Sequence, residues 1–274
     1  MTDFSTPSDI VNAFATTASA GGRSLIFKNT MTTVASFFYS LWTLPGTPAA
    51  GVAPTTWAEP TSTLAGSWSI SYTNPTGGAT ARVLLSDLIL GSSVTVLQMY
   101  DRVGHVGGLS GTVTTAQTTG ASLTAAVTDG RCQANGSDVM WALEWYTATG
   151  ATGVTATISY TNQAGTSGKT TTVVLPASVP ANRIYPITTL AAGDTSIKSV
   201  DSVTLSATTG TAGNFGVTAY KYLYSSFIYQ QADTRDFAKL AMPQLGNNVC
   251  LCPIVYAQAG TTGPIVGSVV IGCR

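Results

Sequence analysis

Alternation with a period of two is the feature that most limits what this chain can fold into. In VTATISY (154–160), Val154, Ala156, Ile158 and Tyr160 fall on one side of an extended backbone and three hydroxyl residues on the other. Successive side chains of a strand point to opposite faces, so this is the pattern of a half-buried antiparallel strand. Further stretches read as strands: SWSISYT (67–73), ARVLLSDLIL (81–90), VTVLQMY (94–100), SLTAAVT (122–128), MWALEWYT (140–147), KTTTVVLP (169–176) and SVTLSAT (202–208). Gly, Asn, Pro and Ser separate them as turns. Thr occurs 45 times, and its branched Cβ packs well on a pleated surface. Short strands punctuated in this way predict a mainly β chain of antiparallel β-sandwich or jelly-roll-like modules.

Little helix is expected. Ser8 is a candidate N-cap for a helix over 9–17, and Asp233 for one over 234–242, where Phe237, Leu240 and Ala241 share a face. Residues 43–66 hold Pro45, Pro48, Pro54 and Pro60 with little hydrophobic pattern, and read as an extended arm or linker. A weak internal repeat organises the remainder. ISYTN occurs at 70–74 and again at 158–162, and TVTTAQTTG (112–120) matches SVTLSATTG (202–210). A third echo joins WYTATGATG (145–153) to VYAQAGTTG (255–263). The first two offsets nearly agree, which points to two related β-modules. The expected division is an N-terminal arm and linker over 1–61, modules over 62–135 and 136–228, and a C-terminal helix and hairpin over 229–274.

Charge narrows the function classes. Twelve basic and twelve acidic residues make up 9% of the 274-residue chain and cancel, against about a quarter in ordinary globular chains. No basic block is present to engage phosphates, so no nucleic-acid partner is expected. A single His and two Glu leave few of the usual tools for acid–base chemistry, and no enzymatic activity is expected. A weakly charged surface does little to keep copies apart, which suggests one covered by other protein; the competing reading is a soluble monomer with a Thr/Ser-rich skin. The start, MTDFSTPSDIVNAF, carries acids instead of a basic run. With no apolar run of about 18 residues, the expectation is synthesis in the cytoplasm and no membrane partner.

The motifs that could carry chemistry are weak. GTSGKTT (165–171) resembles the end of a phosphate loop, but Gln163 stands where that motif needs Gly, and strands flank it on both sides. A β-hairpin loop is the better reading. His105 in YDRVGHVGG (100–108) lies near Asp101 and Arg102 without a second His or Cys to complete a metal set. No G-x-S-x-G elbow surrounds any Ser. No catalytic residue, metal ligand or cofactor is assigned.

Cys132, Cys250, Cys252 and Cys273 remain. A terminal hairpin of 248–257 with 265–273 would set Cys250 opposite Cys273, a candidate disulfide pair. Buried thiols are the competing reading, and the one favoured for a cytoplasmically made chain. Aromatic residues gather in SFFYSLW (36–42) and MWALEWY (140–146). Phe37, Phe38, Tyr39, Trp42 and Trp57 are candidate interface residues, while Trp141, Leu143 and Trp145 would share one strand face as core or interface.

Four stretches carry a resemblance: YSLWTLPGTPAAG (39–51), YDRVGHVGGLSGTVTTAQTTG (100–120), ALEWYTATGATGVTATISYTNQAGTSGKTTTVVLP (142–176) and SVTLSATTGTAGNFGVT (202–218). They are similar to a family of tailed-bacteriophage virion structural proteins, often assigned to the capsid as head decoration or cement proteins. The resemblance implies a non-enzymatic protein seated on the lattice of the major capsid protein, as homotrimers, in the virion. It brings no functional residues with it. Two other readings stand beside it: a tail, collar or fibre component, and a carbohydrate-binding or adhesin-type β-sandwich.

Overall fold

The computed structural model describes residues 21–69, 81–90, 95–210, 213–228, 233–235, 243–246 and 248–273, together with Ser8. The chain is mainly β, with antiparallel pairing throughout the registered strands. It divides into two compact units: Met1–Val52 with Thr61–Asp101 and Leu223–Arg274, and Ala53–Pro60 with Arg102–Tyr222.

In the first unit, β1 (Gly21–Lys28), β3 (Gly46–Thr47), β4 (Ala81–Leu90), β13 (Asp233–Arg235) and β16 (Ile265–Cys273) lie in the order β13-β4-β16-β1-β3, and β14 (Gln244–Leu245) also pairs with β4. Along β1 the alternation sorts the two faces. Ile26 and Lys28 are buried, while Leu25 and Phe27 face outward. The Lys28 ammonium stays inside because Nζ donates to Leu44 O at 3.0 Å and Pro48 O at 2.5 Å. Burial pushes its pKa down to about 8, against a smaller opposing effect of Cys252. In the same unit, β15 (Leu251–Ala257) lies between β2 (Phe37–Ser40) and the first part of β5 (Thr95–Ser110). Tyr39, Leu41, Trp68, Leu97, Val255 and Val269 belong to its apolar core.

In the second unit, β6 (Gln117–Ser122), β11 (Ile197–Leu205), β8 (Val154–Asn162) and β9 (Lys169–Leu175) form a four-stranded sheet in that order. Val154, Ala156, Ile158 and Tyr160 are all buried, as the alternation requires. GTSGKTT closes the β8–β9 hairpin: Tyr160 pairs with Lys169, and Gly165 and Gly168 take positive φ. Asn162 Oδ1 accepts the N–H groups of Ala164 and Thr166 at 3.1 and 2.9 Å. Beside this sheet, β7 (Val139–Trp145) pairs with β10 (Arg183–Pro186) and with the first part of β12 (Asn214–Ile228).

Several expectations are corrected. Residues 21–61 are not an arm: β1 and β2 are paired strands, and Gly51 N–H donates to Trp42 O at 2.8 Å. The reason is packing, since Trp42 is fully buried and a Cβ on Gly51 would stand 2.1 Å from its indole. SLTAAVT does not form a strand through its length. β6 ends at Ser122, whose Oγ accepts the Thr124 N–H at 3.3 Å, and 124–128 turn into a five-residue helix that buries Ala126. Asp233 does not cap a helix, because 233–235 are β13, paired with β4; the rest of that expectation, and the one at 9–17, lie outside the described residues. The terminal hairpin does not form either, since β16 pairs with β1 and β4, and β15 with β2 and β5. Cys273 therefore lies opposite Ala81 in the register, not opposite Cys250.

The repeat has a different meaning from two separate modules. Its copies at 112–120 and 202–210 contribute to neighbouring strands, with Gln117 opposite Val203 and Thr118 opposite Ser202 in one sheet. The copy at 70–74 lies outside the described residues. Boundaries at 61, 135 and 228 do not match the units, because β5 and β12 each run from one unit into the other.

Candidate functional site

A dense grouping of polar and ionisable side chains among the described residues lies inside the second unit, on β5, β7 and β12. Residues 102, 144 and 218–220 come together because β7 lies beside β12, with Glu144 opposite Gly216 and Ala142 opposite Thr218. Arg102 Nη2 stands 2.7 Å from Glu144 Oε2, and the two side chains are 0% and 1% exposed. The Glu144 carboxylate also accepts the hydroxyls of Thr218 at 2.7 Å and Tyr220 at 3.0 Å. Those hydroxyls in turn accept from Arg102, at 3.3 and 3.0 Å. Arg102 donates throughout, the Glu144 carboxylate accepts, and the two hydroxyls do both, which links the buried ion pair into one hydrogen-bonded network. Gly216 supplies the room: a Cβ there would meet Val106 O at 2.0 Å and the Tyr146 hydroxyl at 2.8 Å.

His105 completes the cluster. Arg102 Nε–H donates to its Nδ1 at 2.9 Å, which requires the neutral ring with its proton on Nε2. Burial, followed by the nearby Arg102 and Arg131 charges, pushes its pKa down to about 2. Arg131 is held between two carbonyls, Nη1 on Pro60 O and Nη2 on Arg102 O, both at 2.9 Å. Burial and the Glu144 charge raise the Tyr146 hydroxyl well above its ordinary range. Arg102, His105 and Glu144 are all buried, so no solvent-borne molecule touches them in this conformation.

Elsewhere the described surface offers little chemistry. A cavity of about 430 Å³ in the second unit is lined by Ser122, Leu123, Thr124, Val127, Thr161 and Lys198, with no carboxylate or imidazole in its wall. No group of three His, Cys, Asp or Glu side chains suited to a metal is present among the described residues. No helix among them is long and apolar enough to cross a membrane.

The structure sorts the candidate interface residues into different places. Tyr39 and Trp42 are fully buried and cannot reach another chain. Phe37 is 37% exposed, and Phe38 is half-buried against Tyr256 with ring centroids 5.0 Å apart. Trp57 is half-buried and stacked on Trp141 at 5.5 Å. Sequence reasoning passed over a different surface. Leu25, Phe27 and Val266 are 64%, 48% and 43% exposed, and Phe27 lies directly opposite Val266 in the β1–β16 register. GGRSLIFK carries the alternation that would have revealed β1. Of the other candidates, Cys250 is buried and its N–H donates to Asp101 Oδ1 at 3.1 Å.

No protein-family model and no curated protein matches the chain. Among solved structures it is similar to the VP2 subviral particle of infectious bursal disease virus, at 9% identity over 94% of this chain and 82% of that one, with a TM-score of 0.20. The T=1 particles derived from that virus share 8% identity over 94% and 78% of the two chains, with a TM-score of 0.18. The structure of the virus's Gx strain shares 14% identity over 94% and 77%, also with a TM-score of 0.18. At such TM-scores these likenesses bear on neither fold nor function.

Proposed function

We propose that the chain is a non-enzymatic structural component of a virion, a decoration or cement protein that binds and stabilises a major-capsid-protein lattice as homotrimers. The observation that carries this reading is the outward face of β1 and β16. There a chain with few charges leaves Leu25, Phe27 and Val266 in water, with Phe27 and Val266 side by side. Stable protein interfaces are built around apolar centres depleted of charge, and exposed apolar groups that adjoin one another mark such surfaces. The resemblance of residues 39–51, 100–120, 142–176 and 202–218 to tailed-phage virion proteins supports the same role. A zero net charge is also compatible with a surface to be covered by neighbours.

The test is reconstitution. Purified protein is added to capsids lacking it, and bound copies are imaged by cryo-electron microscopy. Density at regular lattice positions on the head is expected, with strongly reduced occupancy for the Leu25→Glu/Phe27→Glu variant. Binding confined to tail structures, or a variant that decorates heads as well as the wild type, overturns the reading.

A further inference from the structure

Residues 53–60 lie along the part of β5 that carries His105 and are bonded to it repeatedly. His105 and Ala58 exchange two backbone hydrogen bonds, at 2.9 and 3.0 Å. Gly107 N–H donates to Pro54 O at 2.6 Å, and Arg131 Nη1 to Pro60 O at 2.9 Å. Trp57 stacks on Trp141 and fills the space over Gly104, where a Cβ would come within 2.0 Å of the indole. The segment is a strap whose ends and middle are tied to groups around one imidazole.

That imidazole is accommodated only in its neutral form. A proton on Nδ1 displaces the Arg102 Nε–H bond, and Arg102 also holds Glu144, Thr218 and Tyr220. The charged and titratable groups of the cluster that holds it are Arg102 on β5, Arg131 after the short helix, Glu144 on β7, Tyr146 directly after it and Tyr220 on β12. Two guanidinium groups already oppose a further positive charge at this point.

We propose that the strap 53–60 is an acid-released element, lifting from β5 when His105 takes up a proton. In the lifted state the ring meets water and regains its ordinary proton affinity, near pH 6.5. Mild acid therefore selects the lifted state, since only that state binds the proton. Below that pH the lifted-to-closed ratio rises toward ten-fold per unit, and by about fifty-fold from pH 6.5 to 4.5. Return to neutral pH recloses the strap. The proposal is independent of the virion reading, because it concerns the isolated chain.

Hydrogen exchange followed by mass spectrometry, on the full chain and corrected for the intrinsic pH dependence, tests it. Peptides over 53–60 should show an opening constant that climbs about fifty-fold from pH 6.5 to 4.5, while those over 154–162 stay protected. The His105→Gln variant keeps an acceptor for Arg102 without titrating, and should give a flat profile over 53–60. A flat wild-type profile overturns the proposal, whether or not the variant folds. So does an equal slope in His105→Gln, or opening of 154–162 in step with the strap.

Discussion

Glu144 and Arg102 place opposite charges in the interior of a chain that has few of either, and each is useful only while the other is present. Glu144→Gln leaves a buried guanidinium uncompensated and should cost about 3–5 kcal/mol in urea unfolding. The double change Arg102→Met/Glu144→Leu should recover much of that loss, because it removes both desolvated charges. Lys28 gives a pH signature of the same sense as acid release, in a higher pH window. Its folded pKa, about 8, lies below the ordinary 10.5, so the unfolded chain binds the proton more tightly. Stability should therefore climb as pH rises from 8 toward 10.5, with a slope of at most about 1.4 kcal/mol per unit from this group. Subtracting the profile of Lys28→Met isolates it, and an identical climb in that variant counts against the assignment. Gly51→Ala drives a methyl into the buried Trp42 indole. A loss of about 1–3 kcal/mol is expected by thermal or denaturant unfolding.

At the scale of elements, the β8–β9 hairpin shows what local pattern can specify. Alternation in 154–160 marks the buried face, the glycines of GTSGKTT permit the turn, and Asn162 closes it. Asn162 Nδ2 also donates to Asp194 Oδ1 at 2.7 Å, and this bond, followed by the one from the Tyr160 hydroxyl, holds the Asp194 carboxyl below its usual range. Asn162→Ala should destabilise by roughly 1 kcal/mol and raise the Asp194 pKa, which a carboxylate NMR titration reads directly. Other elements were not legible in this way. SLTAAVT has the composition of a strand, but the Ser122 hydroxyl accepts the Thr124 N–H and the chain coils into a short helix. The segments 248–257 and 265–273 are both strands, yet they join different sheets. Nothing in their own alternation distinguishes one partner from another.

For the whole molecule, the absence of net charge and the exposed Leu25, Phe27 and Val266 have a joint consequence. Sedimentation velocity should show concentration-dependent association that Leu25→Glu/Phe27→Glu suppresses. That pair should change unfolding free energy by only about 0.5 kcal/mol per site, as is usual for exposed positions. Loss of folding in the variant, or unchanged association, would separate this face from self-assembly. Removal of residues 1–60 is a poor probe of assembly, because it deletes β1, β2 and the strap on β5.

By itself the sequence determined that the chain is built of antiparallel strands, and which face of several of them is buried. Both follow from side-chain alternation, which is a local property. It also showed that few charges were available, so that any buried ionisable group needed a partner. Tertiary structure alone decided which strands are neighbours, that Tyr39 and Trp42 are core while Leu25 and Phe27 are surface, and that Arg102, His105 and Glu144 meet. The physical reason is that strand pairing and charge pairing are contacts between residues distant in sequence. A period-two pattern records which way a side chain points and carries no information about what it will meet.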